Sequence, residues 1–166
     1  MFIEWWNDYL PKDIDSMIMY SHGSPRNLNI STTEVSRINA DRVSELVPKN
    51  ISMLILMGCN SGHLDVEDNI AKAFVGVVGA GGKVIAVDGR LGYAPSPIHT
   101  VVSGESFVNY LPEDSTRKPA GMVAYSKSFT RRNRPVIRVQ SNGEVKGPMT
   151  AGSFIKAVYE AYVKWP

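Results

Sequence analysis

Leu54-Ile55-Leu56-Met57-Gly58-Cys59-Asn60-Ser61-Gly62 is the stretch that decides the fold. An uninterrupted apolar run over residues 51–57 empties into a turn of small residues. That pattern predicts a buried β-strand followed by a tight loop. The same order recurs upstream, where Met17-Ile18-Met19-Tyr20 runs into Ser21-His22-Gly23-Ser24-Pro25. It recurs downstream over residues 83–87, which end at Asp88-Gly89. Between the first two runs, Thr32 or Thr33 is placed to cap a helix reaching about Leu46. Val35, Ile38, Ala40, Val43, Leu46 and Val47 form its apolar stripe, and Pro48 stops it. Between the second and third, residues 66–78 predict a helix with Ile70, Ala73, Phe74 and Val77 on one face. Gly79-Ala80-Gly81-Gly82 ends it. Strand, helix, strand, helix, strand predicts an α/β fold with a mainly parallel central sheet between helical layers, a three-layer sandwich.

Outside this core, residues 1–16 are an aromatic-rich lead-in, read as a short helix or irregular segment broken at Pro11. Residues 90–113 are rich in Gly, Pro and Ser and predict a long surface loop. Residues 122–125 and 135–140 read as strands. Asn142-Gly143 is a hairpin signal joining residues 136–140 to 145–149, a small β-rich flap. Residues 151–164 predict a final helix with Phe154, Ile155, Val158, Tyr159 and Tyr162 on one side.

A chain of 166 residues fits one domain, 1–166, large enough to bury a core without disulfide or metal staples. The lone cysteine excludes an internal disulfide framework. No apolar run reaches the roughly 18 residues of a membrane helix. No signal peptide is visible, which leaves the location open between the cytoplasm and delivery within a larger effector. Charge is unevenly placed. Residues 115–143 hold seven basic side chains and no acidic one, while the rest of the chain carries a net −5. Such a local ribbon does not suit a nucleic-acid coat. Arg131, Arg132 and Arg134 at its centre are a candidate polyanion site or a solvated hairpin.

The chemistry gathers at two strand ends. In an open α/β sheet, loops at the carboxyl ends of parallel strands build the site. One such loop carries His22-Gly23 and the other Gly58-Cys59. If the strands are neighbours, an imidazole and a thiol meet across 37 positions of sequence. Only the thiolate attacks well, and a nearby imidazole takes the thiol proton and later protonates a leaving amine. Backbone N–H groups of Gly23 and Cys59 are placed to face a developing oxyanion. Asp88, at the next strand end, is a candidate for reading a basic substrate side chain or else a helix-cap or turn residue, and Ser61 is a second substrate-binding candidate.

These residues resemble the caspase-like (clan CD) cysteine peptidases. The likeness rests on an apolar strand ending in Ser-His-Gly-Ser-Pro, then an apolar strand ending in Gly-Cys-Asn-Ser-Gly, then Val84-Ile85-Ala86-Val87-Asp88-Gly89, each in matching context. It covers residues 17–90. The family includes clostripain, gingipains, legumain, separase, the CHAT domains and self-cleaving protease domains of bacterial toxins. The resemblance implies His22 as general base and acid, Cys59 as nucleophile, and the amides of Gly23 and Cys59 as oxyanion hole. It implies a peptide or protein substrate, its own chain included, with no metal or organic cofactor. In some toxin domains of the family a basic flap binds an inositol polyphosphate, which suggests the same role for the Arg131–Arg134 region.

Two other readings stay open. Residues 54–64 with residues 82–88 also look like an S-adenosylmethionine methyltransferase, although Met57 stands where that family carries an acid. A caspase-like scaffold used for interaction rather than catalysis is the third. His63 lies near Cys59 and Asp65, but no second ligand pair has zinc-site spacing. His99 falls in the Pro-rich loop.

Overall fold

A computed structural model of the chain describes residues 1–30, 36–95, 106–111, 121–127, 134–137 and 149–150. The lead-in forms α1, Phe2–Glu4, which continues as a π-helical turn over Trp5–Tyr9. The strands are β1 (Asp13–Tyr20), β2 (His22–Ser24), β3 (Asn27–Asn29), β4 (Arg37–Asn39), β5 (Asn50–Met57) and β6 (Lys83–Asp88). They continue with β7 (Arg90–Pro95), β8 (Ser106–Leu111), β9 (Gly121–Ser126), β10 (Arg134–Ile137) and β11 (Met149–Thr150). Helix α2 is Ile70–Phe74.

The main sheet has the order β1-β5-β6-β9-β10. Its first two pairings, β1 with β5 and β5 with β6, are parallel. Its last two, β6 with β9 and β9 with β10, are antiparallel. The fold is therefore α/β with a mixed sheet, and the parallel half is the one that carries the sequence motifs. One face presents Met19, Leu54, Leu56, Val84, Ala86, Val123 and Tyr125 to Trp6, Ile70 and Phe74. On the other face Ile55, Met57, Ile85 and Val87 are buried as well. That double burial is why β5 and β6 read as unbroken apolar runs rather than alternating ones.

Several elements differ from the sequence expectation. The helix expected up to Leu46 is instead β4 followed by a 3₁₀ helix, Ala40–Glu45; residues 31–35 lie outside the described residues. Ala40, Val43 and Leu46 are spaced by three, which suits a 3₁₀ turn as well as an α-helix. Asn39 sets the start: its side chain accepts from Arg42 N at 3.0 Å. The stripe is still core, with Ile38, Val43 and Leu46 buried. The second helix shortens to α2, capped by Asn69, whose Oδ1 accepts from Lys72 N at 3.0 Å. Residues 90–113 are not one loop, because β7 and β8 pair antiparallel over Arg90↔Leu111 to Pro95↔Ser106. β7 lies at the edge of the sheet β11-β8-β7, where a terminal proline costs no ladder bond. β10 pairs with β9, and Met149 lies opposite Val108. The Asn142-Gly143 turn and the helix expected over 151–164 lie outside the described residues.

The lead-in is part of the core. Trp6 is fully buried and stacks at a tilt on Phe74, centroids 5.7 Å apart. Its indole N–H donates to Val47 O at 2.9 Å. Lys49, 6% exposed, donates from Nζ to the carbonyls of Leu10 at 2.7 Å and Asn7 at 3.3 Å. Those carbonyls lie at the end of the π-helical turn, so a buried cation satisfies groups the turn leaves open. Trp6→Ala is expected to cost about 3–5 kcal/mol of stability through the cavity it leaves. Urea unfolding measures this, and a loss under about 1 kcal/mol would show that the lead-in is not packed as described.

Candidate functional site

β1 and β5 pair in parallel, and the register ends with Tyr20 opposite Met57. Ser21 N extends the contact by donating to Met57 O at 3.4 Å. The two motif loops therefore leave the sheet side by side and at one level. The first is not an open loop, as expected from sequence, but a hairpin. β2 turns at Pro25-Arg26 into β3, which pairs with β4. Proline preset at the first central position of the turn is the local reason.

This hairpin is tied down on both sides. Pro25 O accepts from Ile70 N at 2.7 Å, and Arg26 O accepts from Ala40 N at 2.8 Å. The Arg26 guanidinium pairs with Asp41 at 2.5 Å and also with Asp68. Leu28 behind it is fully buried.

The decisive contact is between glycines. A Cβ placed on Gly23 would lie 2.8 Å from Cys59 O, 2.9 Å from Gly58 C and 3.0 Å from Cys59 N. A Cβ on Gly58 would lie 3.0 Å from Leu28 Cδ2, 3.1 Å from Ser21 Oγ and 3.3 Å from Gly23 Cα. Only glycine allows this approach. Cys59 thus takes part in this backbone contact itself, and His22 is the residue that precedes the glycine seated on it. His22 is exposed and Cys59 is partly exposed. Ser24 and Asn27 close the two-residue turn, so alternation makes Gly23–Leu28 a non-hydrogen-bonded pair. The N–H of Gly23 accordingly points away from β3.

The cysteine turn is fastened to the end of β6. Ser61 N donates to Gly58 O at 3.2 Å, closing a β-turn with Cys59 and Asn60 at its centre. Asn60 has φ 56°, the left-handed value that a type II turn needs at its second central position. Asn60 N donates to Gly89 O at 2.7 Å, and Gly89 N returns a bond to Asn60 Oδ1 at 3.1 Å. Gly62 N donates to Val87 O at 2.8 Å.

Ser61, expected beside substrate, is fully buried. Its hydroxyl donates to Leu56 O and accepts from Val87 N, so its bonding is spent joining β5 to β6. Asp88 is also fully buried and accepts from Leu64 N at 3.4 Å. Tyr125 OH donates to Gly62 O at 2.8 Å and accepts from Asn69 Nδ2 at 2.9 Å, bracing the turn from below.

No match to this chain is found among protein-family models, characterised proteins or solved structures.

The other candidate residues are placed elsewhere. His63 Nδ1 accepts from Asp65 N at 3.2 Å, a local turn contact. Among the described residues no group of His, Cys, Asp and Glu is arranged to hold a metal ion, and no helix is long and apolar enough to cross a membrane. Arg134 lies on β10 opposite Ala124, while Arg131, Arg132 and His99 lie outside the described residues. A mostly apolar cavity of about 340 Å³ opens between β1 and the N-terminal helical turns, lined by Phe2, Trp5, Ile18, Tyr20 and Ile30 among others. Neither His22 nor Cys59 lines it. Burial there raises the pKa of the Tyr20 phenol above the ordinary tyrosine value.

Sequence reading missed Arg26, Asn60, Asn69 and Tyr125. Two of them carried a signal: Asn60, since Asn beside glycines in a turn favours the left-handed region, and Asn69, a helix cap before Ile70. Gly23→Ala is expected to cost about 1–3 kcal/mol, because the methyl group meets backbone that has no rotamer to yield. Gly81→Ala is the control, as a Cβ there has nothing within 4 Å. Thermal unfolding separates the two, and equal stability would contradict the contact.

Proposed function

We propose that this chain is a cysteine endopeptidase of the caspase-like kind, built as a three-layer sandwich around β5 and β6, which are buried on both faces. The observation that carries the proposal is the seating of Gly23 on the Gly58–Cys59 peptide. Two loops that bear the only cysteine and an exposed histidine meet at the carboxyl ends of adjacent parallel strands. Function belongs to such sites rather than to the fold around them.

In the proposed reaction His22 takes the proton of Cys59, and Sγ attacks the scissile carbonyl carbon. The amides of Gly23 and Cys59 stabilise the oxyanion. The C–N bond breaks, and the departing amine receives the proton from His22. Water then hydrolyses the thioester, with His22 as base, and regenerates the thiol. Self-processing and a polyanion bound at Arg131, Arg132 and Arg134 are further parts of the proposal.

The methyltransferase alternative asks the glycine-rich turn and Asp88 to face a nucleoside. The amides of Asn60, Ser61 and Gly62 are instead bonded within the protein, and Asp88 is sealed from solvent. No observation favours that reading, and none separately favours a scaffold without catalysis.

A peptidyl acyloxymethyl ketone is expected to label Cys59 in the wild type. Cys59→Ala removes the labelling and all peptide cleavage. His22→Ala is expected to lower turnover by about 10²–10⁴-fold, the usual contribution of general acid–base catalysis. Mass spectrometry and peptide hydrolysis measure both effects. Cleavage unchanged in either variant would sink the mechanism.

A further inference from the structure

We infer that Asn60 is the positioning residue for Cys59, an inference that rests on the peptidase proposal for its catalytic consequence but not for its geometry. Among the described residues, Asn60 is the one residue other than glycine with positive φ. A residue held in the left-handed region implies that its surroundings fix it there. Here Gly89 does so. It takes the Asn60 N–H at 2.7 Å and gives its own N–H to Asn60 Oδ1 at 3.1 Å.

The consequence falls on the preceding peptide. Types I and II turns differ by a flip of the peptide between their central residues, here the one joining Cys59 to Asn60. With Asn60 left-handed, that peptide aims its N–H at Gly89. A flip would break that bond and also move Cys59 O, the atom nearest to the open position on Gly23. Asn60 therefore fixes the seat of the His22 hairpin and the direction in which Cys59 leaves its strand. Asparagine suits the position because it visits the left-handed region more readily than other side chains and supplies the acceptor that alanine lacks.

Two variants separate the backbone role from the side-chain bond. Asn60→Gly keeps the left-handed turn and loses the acceptor. Asn60→Ala loses the acceptor and disfavours the turn. In Asn60→Ala, inactivation by the peptidyl acyloxymethyl ketone is expected to slow about tenfold at saturation, with KI within about twofold. Asn60→Gly recovers most of that loss, although it is the more flexible chain. Alkylation by iodoacetamide, which needs no fixed approach, stays within about twofold in both.

A second measurement does not depend on catalysis. NOEs from Gly23 Hα to the Cys59 amide proton should persist in Asn60→Gly and weaken or vanish in Asn60→Ala. Equal inactivation rates in all three proteins, or unchanged NOEs in Asn60→Ala, would overturn the positioning role. A wild type that reacts with iodoacetamide but never with the peptide reagent would sink the peptidase proposal, and the NOEs alone would then decide the role of Asn60.

Discussion

The seating of Gly23 on the Gly58–Cys59 peptide depends on one constraint, the parallel register of β1 on β5. Tyr20 lies opposite Met57, so both strands stop at the same level. A slip of one residue would exchange the two faces of β1 and carry the hairpin past the cysteine turn. Apolar side chains hold the register, since Met17 and Met19 share a face with Leu54 and Leu56. Burial of that face against Trp6, Ile70 and Phe74 makes a slipped register costly. The lead-in, far from the motifs in sequence, thus contributes to where they meet.

A second set of polar contacts fixes the loops once the strands have placed them. Arg26 and Pro25 tie the hairpin to Asp41, Asp68 and Ile70. Asn60, Ser61 and Gly62 tie the cysteine turn to β6. Exposed ion pairs contribute little stability individually, and those of Arg26 are exposed. Buried bonds such as Tyr125 to Gly62 and Ser61 to Val87 matter more, because breaking either strands a partner away from water. The site is therefore braced most firmly from the sheet side.

The sequence made β5, β6 and the two glycine-flanked motifs legible because doubly buried strands leave unbroken apolar runs. Periodicity marked Ile38, Val43 and Leu46 as core but did not distinguish α from 3₁₀, since a spacing of three serves both. β7 and β8 were hidden by Gly, Pro and Ser content that suits an edge ladder as well as a loop. The hairpin at His22 was hidden because β2 and β3 are three residues each, too short for any alternation to show. Ser61 and Asp88 looked available for substrate because exposure is set by long-range packing, which no local pattern encodes. Arg26 and Tyr125 act across the chain and left no local mark, whereas Asn69 stands where a helix cap is expected.

The most direct test is a crystal structure of the protein with a peptide aldehyde bound to Cys59. A covalent bond from Sγ to the aldehyde carbon is expected, with the resulting oxygen accepting from the amides of Gly23 and Cys59 and the His22 ring beside it. An adduct whose oxygen faces away from Gly23, or a His22 ring out of hydrogen-bond reach of the adduct, would contradict that arrangement.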